Sequence, residues 1–251
     1  SQGVGRLAGA LGLDNIVMFY DSNDIQLSTE CGVVTCENTA AKYESWGWKV
    51  ITIDGNDADE IRRALNEAKA EKEKPTLIIG NTVMGKGALR ADGSSFEHHI
   101  GTHGAPLGAE AYQKTIVNLG GNPNEPFVVY PEVKELYAKR NEELREIVAK
   151  RHQEENEWAK NNPQLAAQMK EWFSGNAPKV DWSTLTQKPD GATRVASAAC
   201  LGLLAEQVPN MVCSSADLSN SDRTDGFLNK TREMKRGNLS GAFLQAGVSE
   251  L

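Results

Sequence analysis

The sequence predicts an α/β fold: an incomplete, doubly wound, mostly parallel sheet, then a helical linker, then the start of a second α/β domain. Three observations predict it. Short apolar runs rich in strand formers alternate with helix-period runs as far as residue 80. A long, highly charged stretch follows at 131–172. A segment carrying prolines and glycines at 174–191 then separates that stretch from a new helix and strand. Strand–helix alternation is the pattern of crossover units, whose strands lie parallel.

Taken in order, residues 2–13 are rich in Gly, Ala and Leu and predict a helix packed closely against a neighbour. Asn15 to Tyr20 (NIVMFY) is a continuous apolar run, as expected of a strand buried on both faces. Residues 37–47 read as a helix with Tyr43 and Trp46 on one side, and Trp48 to Ile53 (WKVITI) as a second strand. Asp57 is placed to cap a helix over 58–72, where Ile61, Ala64, Leu65 and Ala68 recur at helical spacing. Lys74-Pro75 ends it, and Thr76 to Ile79 (TLII) is a third buried-type strand. Residues 80–108 show no period, and a loop of that length in a compact domain is usually functional. After the charged helices and the linker, Ala192 to Gln207 predicts a small-residue helix and Met211 to Ser214 a short strand.

The chain has 251 residues and a formal net charge of -7, which argues against nucleic acid or an anionic membrane as a main partner. No apolar run nears the roughly 20 residues of a membrane span, and no signal peptide is visible. Cys31, Cys36, Cys200 and Cys213 show no CxxC pairing and read as free thiols of a reducing, cytoplasmic compartment. The chain opens directly on SQGVGRLAGALGL and stops at GAFLQAGVSEL, so it reads as a piece of a longer polypeptide.

Five segments carry possible chemistry. Tyr20-Asp21-Ser22-Asn23-Asp24-Ile25 follows the first strand, where open α/β sheets bind ligands. An Asn amide oxygen and a nearby carbonyl suit Mg²⁺ or Ca²⁺; an Asx-rich turn closing the strand explains the run equally. In Thr102-His103-Gly104-Ala105-Pro106-Leu107-Gly108, a histidine beside glycine can approach a ligand and move a proton, though lone loop histidines often simply face water. Gly80-Asn81-Thr82-Val83-Met84-Gly85-Lys86-Gly87 has the wrong spacing for a Walker loop. Arg194 opens a helix against its dipole, which an anionic partner explains, as does plain exposure. Taken together with Arg194 as the fourth segment, Ser214 to Ser221 (SSADLSNS) follows a strand and offers hydroxyls, a carboxylate and an amide. Glu250, in the apolar run GVSEL, would have a raised pKa if buried.

In order and context, these segments resemble the transketolases. LGLDNIVMFYDSNDIQL is similar to the second half of that family's thiamine-diphosphate motif, and THGAPLG to its histidine loop. TRVASAACLGLLAEQVPNMVCSSADLSNSDRT resembles the opening of its pyrimidine-binding domain, and GVSEL the segment of its cofactor glutamate. The resemblance implies the C-terminal part of a diphosphate-binding domain over 1–128, a helical linker over 129–190 and the N-terminal part of a pyrimidine-binding domain over 191–251. It implies thiamine diphosphate, a divalent cation such as Mg²⁺ or Ca²⁺, sugar-phosphate substrates and a homodimer with sites between subunits.

By the same resemblance, Asn23 (side chain) and Ile25 (carbonyl) would ligate the cation. His103 would lie at cofactor and substrate and help proton transfer; Arg194 and Ser221 would bind the sugar's phosphate. Asp217 and Leu218 would contact the cofactor across the subunit interface, and Glu250 would hydrogen-bond its aminopyrimidine ring. The metal-binding aspartate of the family's motif would lie upstream. Asp24 stands where relatives often have Gly, and Ile100 where many have a second histidine. Other readings are a different thiamine-diphosphate enzyme, such as a deoxyxylulose-phosphate synthase or a 2-oxo acid dehydrogenase component, or a non-catalytic relative that keeps the fold.

Overall fold

The structure, a computed structural model, describes residues 2–248. Its first part runs α1 (Gln2–Leu11), β1 (Val17–Ser22), α2 (Cys31–Val34), α3 (Thr39–Ser45), β2 (Lys49–Asp54), α4 (Ala58–Ala70), β3 (Thr76–Asn81) and α5 (Ala109–Asn118). Then come α6 (Pro131–Asn161) and α7 (Pro163–Trp172). The last part runs α8 (Thr193–Gln207), β4 (Cys213–Ser215), α9 (Asp225–Leu228) and β5 (Phe243–Gln245).

The first sheet has the order β1-β3-β2 with every pair parallel. β3 is central, and Thr76 to Gly80 along it are all buried. Helices cover both faces, as doubly wound sheets require. On one face Ile51, Ile53 and Ile78 pack on Ala64 and Ala68 of α4. On the other, Leu77 and Ile79 pack with Trp48 and with Ala8 of α1. Asp57 caps α4 by accepting the amides of Asp59 and Glu60. The Glu60 amide first, then that of Asp59, holds this carboxyl below its usual range.

The small residues of α1 have a steric reason. Gly5, Ala8 and Gly9 form its buried face. A Cβ added at Gly9 would stand 1.8 Å from the carbonyl oxygen of Trp46, so the helix backbone lies directly on the turn before β2. Trp48 locks the contact by donating its indole N–H to the carbonyl of Gly5 at 2.7 Å.

β1 departs from expectation. It starts at Val17 rather than Asn15, and it is not buried on both faces: Val17 and Phe19 remain 41% and 45% exposed. The reason is position. β1 pairs only with β3, and α4 packs on β2 and β3, which leaves this end of the face without a cover among the described residues.

The charged region forms two helices, each opening on a proline at N1, where the missing N–H costs nothing. Neither contributes a buried residue. Residues 174–191 are irregular apart from a short turn at Trp182–Thr184. In the last part β4 and β5 pair in parallel, with Phe227 and Phe243 fully buried beside them. No helix among the described residues is long and apolar enough to cross a membrane.

Candidate functional site

Parallel pairing puts the carboxyl ends of β1, β2 and β3 on one edge, since the register joins Ser22 to Asn81 and Asp54 to Asn81. The loops leaving that edge are tied to each other. The amide of Thr82 donates to the carbonyl of Ser22 at 3.1 Å, and its hydroxyl to the carboxylate of Asp21. Gly55 donates to the carbonyl of Asn81 at 2.8 Å, and Val83 to the side-chain oxygen of Asn56 at 3.1 Å.

The turn after β1 carries Asn23 and Ile25. Asn23 Oδ1 accepts the amide of Ile25 at 3.1 Å, so the Asx turn expected from sequence is formed. Asp24 takes the left-handed conformation at φ 62, and its carbonyl accepts the amide of Cys31 at 2.8 Å. That conformation explains why glycine suits this position. Ile25 is buried and bridged to Glu30, which fixes its backbone. Asn23 Oδ1 keeps a second lone pair, and the Ile25 carbonyl is also an oxygen donor. Both are hard and neutral, the kind of ligand Mg²⁺ or Ca²⁺ takes. No cluster of three or more His, Cys, Asp or Glu that would complete a metal shell occurs among the described residues. The turn therefore offers a cation two neutral oxygens and not a complete shell.

The long segment between β3 and α5 is folded onto itself. His98 donates its amide to the carbonyl of Met84 at 2.9 Å, and Phe96 its amide to that of Ala88 at 2.8 Å. His99 Nδ1 accepts the amide of Gly101 at 2.9 Å and its ring lies 4.8 Å from that of Phe96, so this histidine serves the loop. The turn at Ile100–Thr102 then delivers His103. His103 Nδ1 is shut from solvent and has no hydrogen-bond partner among the described residues. A buried polar atom normally has one, and its lack calls for an explanation, such as a catalytic role or an ordered water or ion. A Cβ at Gly104 would lie 3.6 Å from Leu27, so the histidine loop sits against the loop that carries Asn23 and Ile25.

A second group forms at the end of β4. Arg194 Nη1 reaches the carbonyl of Ser221 at 3.5 Å, which brings these two residues together. Asp217 is left-handed at φ 70, and Leu218 after it is exposed. Asp222, which the sequence reading passed over, organises the turn. It accepts the hydroxyl of Ser215 at 3.0 Å and, at 2.8 Å each, the amide and hydroxyl of Thr224. The Thr224 amide is the largest cause that holds its carboxyl below the usual range; the hydroxyls of Thr224 and Ser215 add to it. No hydrogen bond among the described residues joins this group to that of Asn23 and His103. Glu250 lies outside the described residues.

Comparison with known proteins points one way. Residues 1–178 match the family described as "Transketolase, thiamine diphosphate binding domain". The transketolase of Geobacillus stearothermophilus is 37% identical over 226 residues, 87% of this chain and 33% of that protein. The dihydroxyacetone synthase of Candida boidinii is 31% identical over 97% of this chain and 35% of that protein. A crystal structure of the Pichia stipitis transketolase in complex with sedoheptulose 7-phosphate superposes with a TM-score of 0.86 at 29% identity, covering 99% of this chain and 37% of that one. The chain thus spans about a third of the length of the curated relatives it matches.

Proposed function

The chain belongs to the transketolase family through its thiamine-diphosphate-binding domain, and from that premise we propose that the whole protein is a transketolase. It transfers a two-carbon ketol unit from a ketose phosphate, such as xylulose 5-phosphate, to an aldose phosphate, such as ribose 5-phosphate. It works in the cytoplasmic pentose phosphate pathway as a homodimer. The division at 1–128, 129–190 and 191–251 into diphosphate-binding, linker and pyrimidine-binding parts belongs to this reading.

Thiamine diphosphate, when bound, supplies a nucleophilic carbon that carries the two-carbon unit. The protein's part is to bind and orient. The Asn23 side chain and the Ile25 carbonyl would hold the divalent cation, which would supply positive charge against the diphosphate. His103 takes or gives a proton at a ring nitrogen facing the substrate. Arg194 grips the sugar's phosphate with a charge-assisted hydrogen bond, and Ser221 adds its hydroxyl. Asp217 and Leu218 touch the cofactor held by a second copy of the chain. Glu250 would hydrogen-bond the cofactor's aminopyrimidine ring.

The observation that carries this reading is the buried, unpartnered Nδ1 of His103, on a loop seated beside the Asn23–Leu27 turn. The test uses the full-length protein with thiamine diphosphate and Mg²⁺. Xylulose 5-phosphate and ribose 5-phosphate should yield sedoheptulose 7-phosphate and glyceraldehyde 3-phosphate. No ketol transfer under those conditions would overturn the proposal. The likeness to a dihydroxyacetone synthase favours a second reading, in which dihydroxyacetone is the product. With formaldehyde supplied as a one-carbon acceptor, transfer of the two-carbon unit from xylulose 5-phosphate to it would release dihydroxyacetone and glyceraldehyde 3-phosphate; that outcome without sedoheptulose 7-phosphate from ribose 5-phosphate would select it.

A further inference from the structure

The exposed side chain of Arg6 crosses from α1 to the segment that leaves β5. Its Nη2 donates to the carbonyl of Ala246 at 3.2 Å and to that of Val248 at 2.6 Å. Between them Gly247 is left-handed, at φ 65. That turn aims the two flanking carbonyls at one guanidinium nitrogen. A Cβ at Gly247 would be strained and would stand 3.3 Å from the same nitrogen. Just before the turn, the amide of Ala246 still donates to the carbonyl of Ser215 at 3.0 Å. Arg6 therefore grips the chain where it leaves the ladder. The packing of α1 does not call for an arginine there, since its buried face is Gly5, Ala8 and Gly9.

A second arginine crosses in the opposite direction. Arg236 donates to the carbonyl of Glu73 at 3.2 Å. Helix α1 and the α4–β3 turn are thus each joined to the last part of the chain by an arginine–carbonyl contact, one running in each direction.

Glu250 stands two residues beyond Val248 in sequence. We propose that Arg6 is a positioning residue: it seats the Ala246–Val248 segment on α1 and so fixes the approach of Glu250 to the cofactor's ring. This rests on the role given to Glu250 above. The contact itself stands on geometry and is tested separately.

The experiment compares full-length wild type with Arg6→Ala, Arg6→Lys and Glu250→Gln. Amide hydrogen exchange at residues 246–248 is read without cofactor, and kcat and KM with it. Arg6→Ala should speed exchange at 246–248 and leave that of β1 to β3 unchanged. It should lower kcat about tenfold to a hundredfold, the scale on which a misplaced catalytic group costs rate, with the KM for sugar phosphate unmoved. Arg6→Lys should fall between, because one ammonium keeps the charge without the planar donor set; it carries the comparison if the alanine variant fails to fold. Unchanged exchange in both variants would overturn the clasp. Faster exchange with wild-type kcat, beside an inactive Glu250→Gln, would overturn the positioning role alone. Full activity in Glu250→Gln would overturn the reading of that glutamate and this proposal with it.

Discussion

Ser215 and Asp222 form one half of a two-sided clamp: the buried Ser215 hydroxyl donates to Asp222 at 3.0 Å while accepting the amide of Leu218 at 3.1 Å. The other oxygen of Asp222 takes Thr224. Between the two sides runs the turn with the left-handed Asp217, a conformation that costs energy for any residue but glycine. Asp222→Ala should free Ser215 and the Thr224 amide and destabilise the protein by about 1 kcal/mol, the usual worth of such a bond. A denaturation midpoint that does not move would show the clamp to be unimportant.

The same carboxylate predicts a pH dependence. Its folded pKa is depressed, first by the Thr224 amide and then by the hydroxyls of Thr224 and Ser215. An acid with a depressed folded pKa stabilises the fold above its unfolded pKa, about 3.9 for Asp. That contribution is lost as pH falls from there through the folded value. Asp222→Asn should therefore lose that contribution at neutral pH, differ little from wild type once the pH is below the folded pKa, and so flatten the acid limb of the stability curve below about pH 4. Asp222 is exposed, so the effect is small and solvent-screened. Parallel wild-type and variant curves over that range would contradict it.

Close approach at α1 makes a sharper prediction. With 1.8 Å between a Cβ at Gly9 and the Trp46 carbonyl, the smallest side chain forces helix and turn apart. Overpacking of this kind costs roughly 1–3 kcal/mol. Gly9→Ala should lower the melting temperature clearly, although alanine favours helix over glycine. A variant as stable as wild type would mean that the helix slides without penalty.

How much of this was legible before the structure depends on how local the cause is. The Asp57 cap and the Ala64–Ala68 stripe are written in neighbouring residues, and both formed as read. Leu65 shares that helical spacing yet remains 40% exposed, on the flank of the stripe with no cover among the described residues. The run NIVMFY pointed to a strand correctly and to burial on both faces wrongly, because burial is set by which elements pack on it. At the site, Asn23 and Ile25 were visible as an Asx turn. His99 was indistinguishable from His103 by spacing, and only the loop's fold separates a satisfied ring from an unpartnered one. Asp222 carried a weak local sign, an Asp two residues before a Thr. The reach of Arg6 to residue 248 carried none.

His103 gives the most direct test of the site. Its Nδ1 is buried and has no hydrogen-bond partner among the described residues, so removing the ring should cost little stability and much chemistry. In the full-length protein His103→Ala should lower kcat by about a hundredfold to ten-thousandfold, the usual range for a proton-transfer group. The melting temperature should move little. Loss of folding without a separate loss of turnover per folded molecule would return His103 to a structural role.

Asn23 tests the metal independently of the sugar. Its side-chain oxygen accepts the amide of Ile25, so the atom proposed as a cation ligand also shapes the turn. Asn23→Ala removes the donor and the tie. Asn23→Asp keeps an oxygen for the amide and adds a charge that a cation favours. If the oxygen is a ligand, the Mg²⁺ needed for half-maximal activity should rise at least about tenfold in the alanine variant, since even outer-shell changes cost about 10–100-fold in metal affinity. It should stay near wild type in the aspartate variant. If the oxygen only shapes the turn, Asn23→Ala should lose about 1 kcal/mol of stability and titrate with Mg²⁺ like wild type. That second outcome would remove Asn23 from the metal shell and leave it as the end of a strand.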